Sequence, residues 1–301
     1  AAKYQQSLYY FFMAIQLNPG EKIFYINKAI VLHSMRRFDE SIATLNIVID
    51  MDRLWDKALK LKATVLNSVG IRETVNMNYE KALAAFDQAI SLDPNNKLLH
   101  ANKAGTLVRV DRFIEAIDSA NKALHIVPEY RFARIQKSLA ANQHAVVSTQ
   151  KNELDDANLY LALAIQLNPS EKLYYVNKAI VHIKQEQLNE ALYYLEMALT
   201  IDKNYSNAKQ YKAIILNCSA LKDMKLKSFD EALAKLNRAI QLNPSNQMIR
   251  LNKADILLML KRYEAAINEI ESALQLDPNS EKAKEKLIRA QCERLKHSSY
   301  I

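Results

Sequence analysis

The chain has 301 residues, half of them hydrophobic, with a net charge of +8 and no apolar run long enough to span a bilayer. Three glycines and six prolines exclude the many turns of an all-β fold, and two cysteines, Cys218 and Cys292, exclude a disulfide framework. The excess of Lys and Arg over Asp and Glu never exceeds three in any of four successive quarters, too even a spread for a patch that tracks a polyanion, so nucleic acid is disfavoured as a partner.

Taken in order, the chain opens with a helical segment over Lys3–Leu17 that ends in Asn18-Pro19. The opening Ala1-Ala2-Lys3-Tyr4 has neither a charged leader nor an apolar signal core, and it reads as the interior of a longer protein. Next comes Asn27-Lys28-Ala29, which recurs as Asn102-Lys103-Ala104, Asn177-Lys178-Ala179 and Asn252-Lys253-Ala254, 75 residues apart each time. Within each 75-residue module, apolar residues fall at helical spacing on two successive stretches, such as Ile23, Ile26, Ile30 and then Phe38, Ile42, Leu45, Ile49. A short polar turn joins them, so each pair of stretches predicts an antiparallel helix pair. Proline or a polar residue at Pro19, Arg53, Pro94, Pro128, Pro169, Lys203, Pro244 and Pro278 closes the second stretch, and these landmarks alternate at 34 and 41 residues. Every second pair therefore carries seven extra residues between its helices, around Ser68–Asn76, Gln143–Lys151 and Ser219–Lys225. Two extra helical turns are expected to lengthen the facing ends of those pairs into similar protrusions. The last segment, from about Glu281, is a solitary helix whose Lys282, Lys284, Lys286, Arg289 and Arg294 supply a polar outer face, as a terminal unit requires. The opposite end, with Leu8-Tyr9-Tyr10-Phe11-Phe12, is expected to need a cover.

A 34-residue helix pair ending in Asn/Asp-Pro resembles the tetratricopeptide repeat. Small residues stand where that family brings helices close, at Ala29, Ala63, Ala104, Ser138, Ala179, Ala213 and Ala254 in the first helices. They recur at Ala82, Ala116, Ala157, Ala191, Ala232 and Ala266, and again at Ala89, Ala123, Ala164, Ala198, Ala239 and Ala273, in the second helices. Large apolar residues open the second helices at Phe38, Tyr79, Phe113, Leu154, Leu188, Phe229 and Tyr263. Ser41, Val48, Arg53 and Lys203 depart from the pattern. The resemblance implies an all-α, right-handed superhelical solenoid over residues 1–301: the second helix of an incomplete repeat over 1–21, seven full repeats over 22–280 and a capping helix over 281–301. It also implies a protein that binds other proteins, through a concave groove lined by the first helices; the low cysteine count sets a reducing, intracellular and cytoplasmic compartment as the expectation.

No constellation for catalysis, metal or cofactor stands out. Gly20, Gly70 and Gly105 cannot build a phosphate loop, and His33, His100, His125, His144, His182 and His297 are scattered. The acidic pairs Asp39-Glu40, Asp155-Asp156 and Asp230-Glu231 recur at second-helix starts, where negative charge complements the helix dipole, so they read as structural. The chain is therefore read as a non-enzyme that uses no cofactor.

Two asparagine rows fall at groove positions: Asn27, Asn102, Asn177 and Asn252 in the shorter repeats, and Asn67, Asn142 and Asn217 in the longer ones. An amide offers two donors and an acceptor, so a spaced row in an apolar trough suits the main chain of an extended peptide, and resembles the ladder in the O-GlcNAc transferase superhelix. The same amides could instead serve contacts between neighbouring repeats. A lysine precedes each small first-helix residue: Lys28, Lys62, Lys103, Lys137, Lys178, Lys212 and Lys253. These stems either lie on adjoining helices with the ammonium in water or form a basic row for an acidic partner. Asn252, Lys282 and Lys286 form a candidate anion site, an incomplete version of the carboxylate clamp of chaperone-binding members of the family, since Gln210 and Ile214 stand where that clamp needs Lys and Asn. The function expected is a scaffold or adaptor holding an extended or helical segment of a partner. The alternatives are a structural subunit using the outer face and the insertions, and the substrate-recruiting arm of a larger enzyme.

Overall fold

The computed structural model describes residues 2–298, so residue 1 and residues 299–301 of the two terminal segments assigned above lie outside the described residues, as does the side chain of His297. All described secondary structure is helical and falls into two compact units, Ala1–Pro169 and Ser170–Ile301.

The first unit holds α1 (Ala2–Leu17), α2 (Lys22–Ser34), α3 (Phe38–Met51), α4 (Asp56–Val75), α5 (Tyr79–Leu92), α6 (Lys97–Arg109), α7 (Phe113–Ile126), α8 (Arg131–Gln150) and α9 (Leu154–Leu167). The second holds α10 (Lys172–Lys184), α11 (Leu188–Ile201), α12 (Ser206–Lys225), α13 (Phe229–Leu242), α14 (Gln247–Met259), α15 (Tyr263–Leu276) and α16 (Glu281–Ser298). Each even-numbered helix up to α14 packs on the odd-numbered helix that follows it. Those are the first and second helices of the seven repeats.

The small residues make this packing possible. All seven mid-first-helix residues, Ser138 included, are fully buried, as are the second-helix alanines at both recurring positions. The departures are accommodated locally. Ser41, also fully buried, donates its hydroxyl to the Ala29 carbonyl at 2.8 Å, which removes the cost of an unpaired polar group. At the two turns without proline, Asp52 Oδ1 accepts from the Leu54 amide and Asp202 Oδ1 from the Asn204 amide, at 3.3 and 2.9 Å. Their other oxygens take Lys22 and Lys172 at 2.7 and 2.5 Å, so a side-chain turn and an ion pair replace the stiffness of the missing ring.

The insertion differs from expectation. It lies wholly in the first helix: α4, α8 and α12 have 20 residues, against 13 in α2, α6, α10 and α14, while every second helix from α3 to α15 keeps 14. The cause is the stop signal. Each first helix ends where one residue turns left-handed, at Arg36, Met77, Asp111, Asn152, Glu186, Lys227 and Lys261, with φ between 59° and 65°. The next amide then bonds back five residues, as Arg37 to Leu32 and Asn78 to Glu73, both at 2.9 Å, which satisfies a terminal carbonyl. In the long repeats this stop comes seven residues later. Within α4 the extension requires Gly70, since a Cβ there would stand 2.6 Å from the ring of buried Phe86.

At the ends, α1 leaves Tyr9, Tyr10 and Phe12 exposed, and α16 buries Ala283 and Ala290 while exposing Ile288 and Leu295 beside its charged residues. No helix among the described residues is long and apolar enough to cross a membrane.

Candidate functional site on the first helices

The two units each present apolar side chains from their first helices. In the first, Ile30, Leu98, Phe132 and Leu139 are exposed; in the second, Leu173, Ile214 and Met248. All seven lie on first helices, the helices expected from the sequence to line a groove. Of the seven, Phe132 borders a cavity of 260 Å³ between α4, α6 and α8 whose walls also include Asn102, Gln136 and Gly105. Gly105 keeps this space open, because a Cβ there would lie 3.0 Å from Gln136 Oε1.

The two asparagine rows are joined to each other. Asn102 Nδ2 donates to Asn67 Oδ1, and Asn252 Nδ2 donates to Asn217 Oδ1, both at 2.8 Å and both across 35 residues. The geometry fits the second purpose weighed from sequence, a contact between neighbouring repeats, and it leaves each donor asparagine one N–H and a carbonyl oxygen. Asn67 and Asn142 are buried; Asn27, Asn102, Asn177, Asn217 and Asn252 are half-buried. Asn27 makes no side-chain hydrogen bond among the described residues.

The lysine row leans toward the second helices. Lys103 reaches Asp87 at 2.5 Å, Lys253 reaches Glu269 at 2.6 Å, and Lys212 pairs with Glu196. Lys178 is buried with its ammonium 5.8 Å from the centre of the Tyr194 ring, and burial pushes its pKa down. Lys28, Lys62 and Lys137 are half-buried and form no ion pair among the described residues. At the candidate anion site, Lys286 is held by Asp255, Lys282 Nζ lies 3.6 Å from Met248 Sδ, and Asn252 is occupied with Asn217. A ligand anion there competes with the Asp255 carboxylate.

One trio looks catalytic and is wired otherwise. Asp156 Oδ2 accepts from Ser148 at 2.8 Å and stands 3.1 Å from His144 Nε2, so the carboxylate lies between hydroxyl and imidazole. Nucleophilic activation needs the base against the hydroxyl. These contacts fasten the α8 extension to the start of α9. Likewise Glu40 of the Asp39-Glu40 pair is gripped by both Arg37 nitrogens at 2.6 Å, and that bond holds its carboxyl below the usual range. No group of three His, Cys, Asp or Glu that could hold a metal ion occurs among the described residues.

Sequence reasoning missed the left-handed turn residues, because Arg36, Met77, Asp111 and Glu186 share no chemistry. It also missed the pairing of the two asparagine rows, although their constant 35-residue offset was a usable signal.

Comparison with known proteins gives consistent findings. Models of the tetratricopeptide repeat match residues 224–292 and 78–96. The human protein O-mannosyl-transferase TMTC3 is 26% identical over 210 residues, which are 67% of this chain and 22% of that protein. Stress-induced-phosphoprotein 1 of Caenorhabditis elegans is 26% identical over 202 residues, covering 66% of this chain and 58% of its own length. The chain thus spans less than two thirds of these curated relatives. Among solved structures, YrrB, described as a TPR protein with an unusual peptide-binding site, superposes with a TM-score of 0.44 at 21% identity over 66% of this chain and 95% of its own.

Proposed function

We propose that this chain, matched by tetratricopeptide-repeat models over residues 224–292 and 78–96, is a non-catalytic scaffold or adaptor whose first helices hold an extended or helical segment of another protein. The observation that carries the reading is the set of exposed apolar residues on those helices, Leu98 and the cavity-lining Phe132 in the first unit and Leu173 and Met248 in the second. Large apolar side chains left open beside amides suit a segment whose apolar residues are buried and whose main chain is hydrogen-bonded. Asn27, with its amide uncommitted, is the asparagine best placed for that bond, with Asn102 as its counterpart in the first unit and Asn177 and Asn252 at the corresponding positions of the second. Lys28, Lys62 and Lys137 favour an acidic segment. The names of some relatives agree with an assembly role: one is the Hsp70-Hsp90 organising protein of Plasmodium falciparum, 26% identical over 153 residues.

A second reading, a structural subunit that uses other faces, is favoured by the exposed aromatics of α1. A photo-crosslinking amino acid placed in turn at Phe132, Leu173, Tyr9 and Leu159, an exposed residue of the second helix α9, separates the readings in native extract. The adaptor reading expects crosslinks to one protein from positions 132 and 173. Crosslinks from position 9 or 159 alone exclude it and favour the structural subunit. The relationship to a transferase raises the further option of a substrate-recruiting arm, which the same crosslinked partners would reveal.

A further inference from the structure

The extensions of α4 and α8 build the same recess twice. Each stands beside the turn of the preceding short repeat, and the lining recurs at 75 residues: Arg36 and Asp111, Phe38 and Phe113, Ile71 and Val146, Val75 and Gln150. The two cavities measure 550 and 530 Å³.

Their chemistry differs. The second is electrically balanced, with Arg112 and Lys151 against Asp111 and Glu115. The first is lined by two guanidiniums, Arg36 and Arg72, and by no carboxylate. Arg72 lies 5.3 Å from the Phe38 ring centre and is matched from outside the lining by Glu73 at 2.9 Å, whereas exposed Arg36 forms no ion pair among the described residues. Ile71 and Val75 stand exposed on the wall opposite. His33 Nε2 is 2.8 Å from Ser68 Oγ, and burial pushes its pKa down, so it adds no charge at neutral pH. The recess therefore pairs open apolar surface with one uncommitted cation.

We propose that this first recess is a second binding site, distinct from the cavity beside Phe132, and that it takes a short protein segment in which an apolar side chain adjoins a carboxylate. The apolar side chain is seated against Ile71 and Val75 and its burial supplies the affinity. The carboxylate pairs with Arg36, and because an exposed ion pair is worth little by itself, that pair selects charge sign rather than strength. Its balanced copy on α8 lacks the charge bias and takes no acidic segment.

Arg36 is the residue that tells the two surfaces apart, because Ile71 and Val75 also border the cavity between α4, α6 and α8. Arg36→Glu preserves the fold: Glu186 holds the same turn position with φ 61° where Arg36 has 60°. A random dodecapeptide display library selected on the whole chain, followed by anisotropy titration of the selected peptides, tests the site. The expected result is enrichment of Asp or Glu beside Ile, Leu or Phe, with affinity falling about tenfold in Arg36→Glu and unchanged in Phe132→Ala. Peptides that bind Arg36→Glu as tightly as the parent, or that depend on Phe132 alone, overturn the proposal, and so does a library yielding no Arg36-dependent binder.

Discussion

At the scale of single residues, the seven first-helix turns carry a conformational cost the composition does not relieve. Each places a non-glycine residue at positive φ, while Gly20, Gly70 and Gly105 stand elsewhere and none has positive φ. An L-residue in the left-handed region costs roughly 1–2 kcal/mol, and glycine gives back part of the gain through the greater freedom of its unfolded chain. Met77 is the cleanest place to measure the difference, since its side chain is exposed and its φ is 62°. Met77→Gly is expected to stabilise the chain by about 1 kcal/mol and Met77→Ile to destabilise it by at least as much, read from urea midpoints. The buried alanines were legible in the sequence because close packing admits few residue types. The left-handed residues were not, because an exposed turn tolerates Arg, Met, Asp, Glu and Lys alike.

At the scale of helices, the pairs and their order followed from the 75-residue period, and the length of the insertion was plain. Its place was not. Sequence shows seven additional residues between two apolar stretches, but only the position of the turn decides which helix receives them, and α4, α8 and α12 receive all of them. The candidate site was legible only in part: the exposed apolar residues lie on the first helices, yet the asparagines there also tie helix to helix. Asn102 on α6 holds Asn67 on α4, and Asn67 is only 6% exposed. Removing the donor strands a buried carbonyl, so Asn102→Ala is expected to cost about 1–3 kcal/mol. The double variant Asn67→Ala/Asn102→Ala should lose less than the sum of the single ones, with a coupling above roughly 0.5 kcal/mol. Asn27→Ala should leave the urea midpoint unchanged and weaken partner binding. If Asn102→Ala also leaves the midpoint in place, the amide bridge is not structural.

At the scale of the whole molecule, a chain with net charge +8 should be acid-labile for a reason its ion pairs supply. Hydrogen bonds from Lys22 and Lys172 hold the Asp52 and Asp202 carboxyls below their ordinary value, and bonds from Arg37, Asn78 and Arg112 do the same for Glu40, Glu73 and Glu115. A carboxyl whose folded pKa is depressed binds fewer protons folded than unfolded, so its contribution is complete above the unfolded pKa and is lost as pH falls through the folded one. The window thus lies below the ordinary values of 3.8 for Asp and 4.5 for Glu. These groups are at the surface, so each contribution is small and screened by salt. Melting followed by circular dichroism should show a Tm that falls slightly below about pH 6.5, where burial of His33 opposes its protonation, and steadily below about 4.5. Lys22→Met/Lys172→Met should lower Tm at pH 7, and its curve should meet the parent's at the acid end, because protonated Asp52 and Asp202 no longer distinguish the two chains. Parallel curves at every pH would show that these lysines stabilise through their stems on Trp55 and Tyr205, 5.4 and 4.7 Å from their ammonium groups, rather than through the carboxylates.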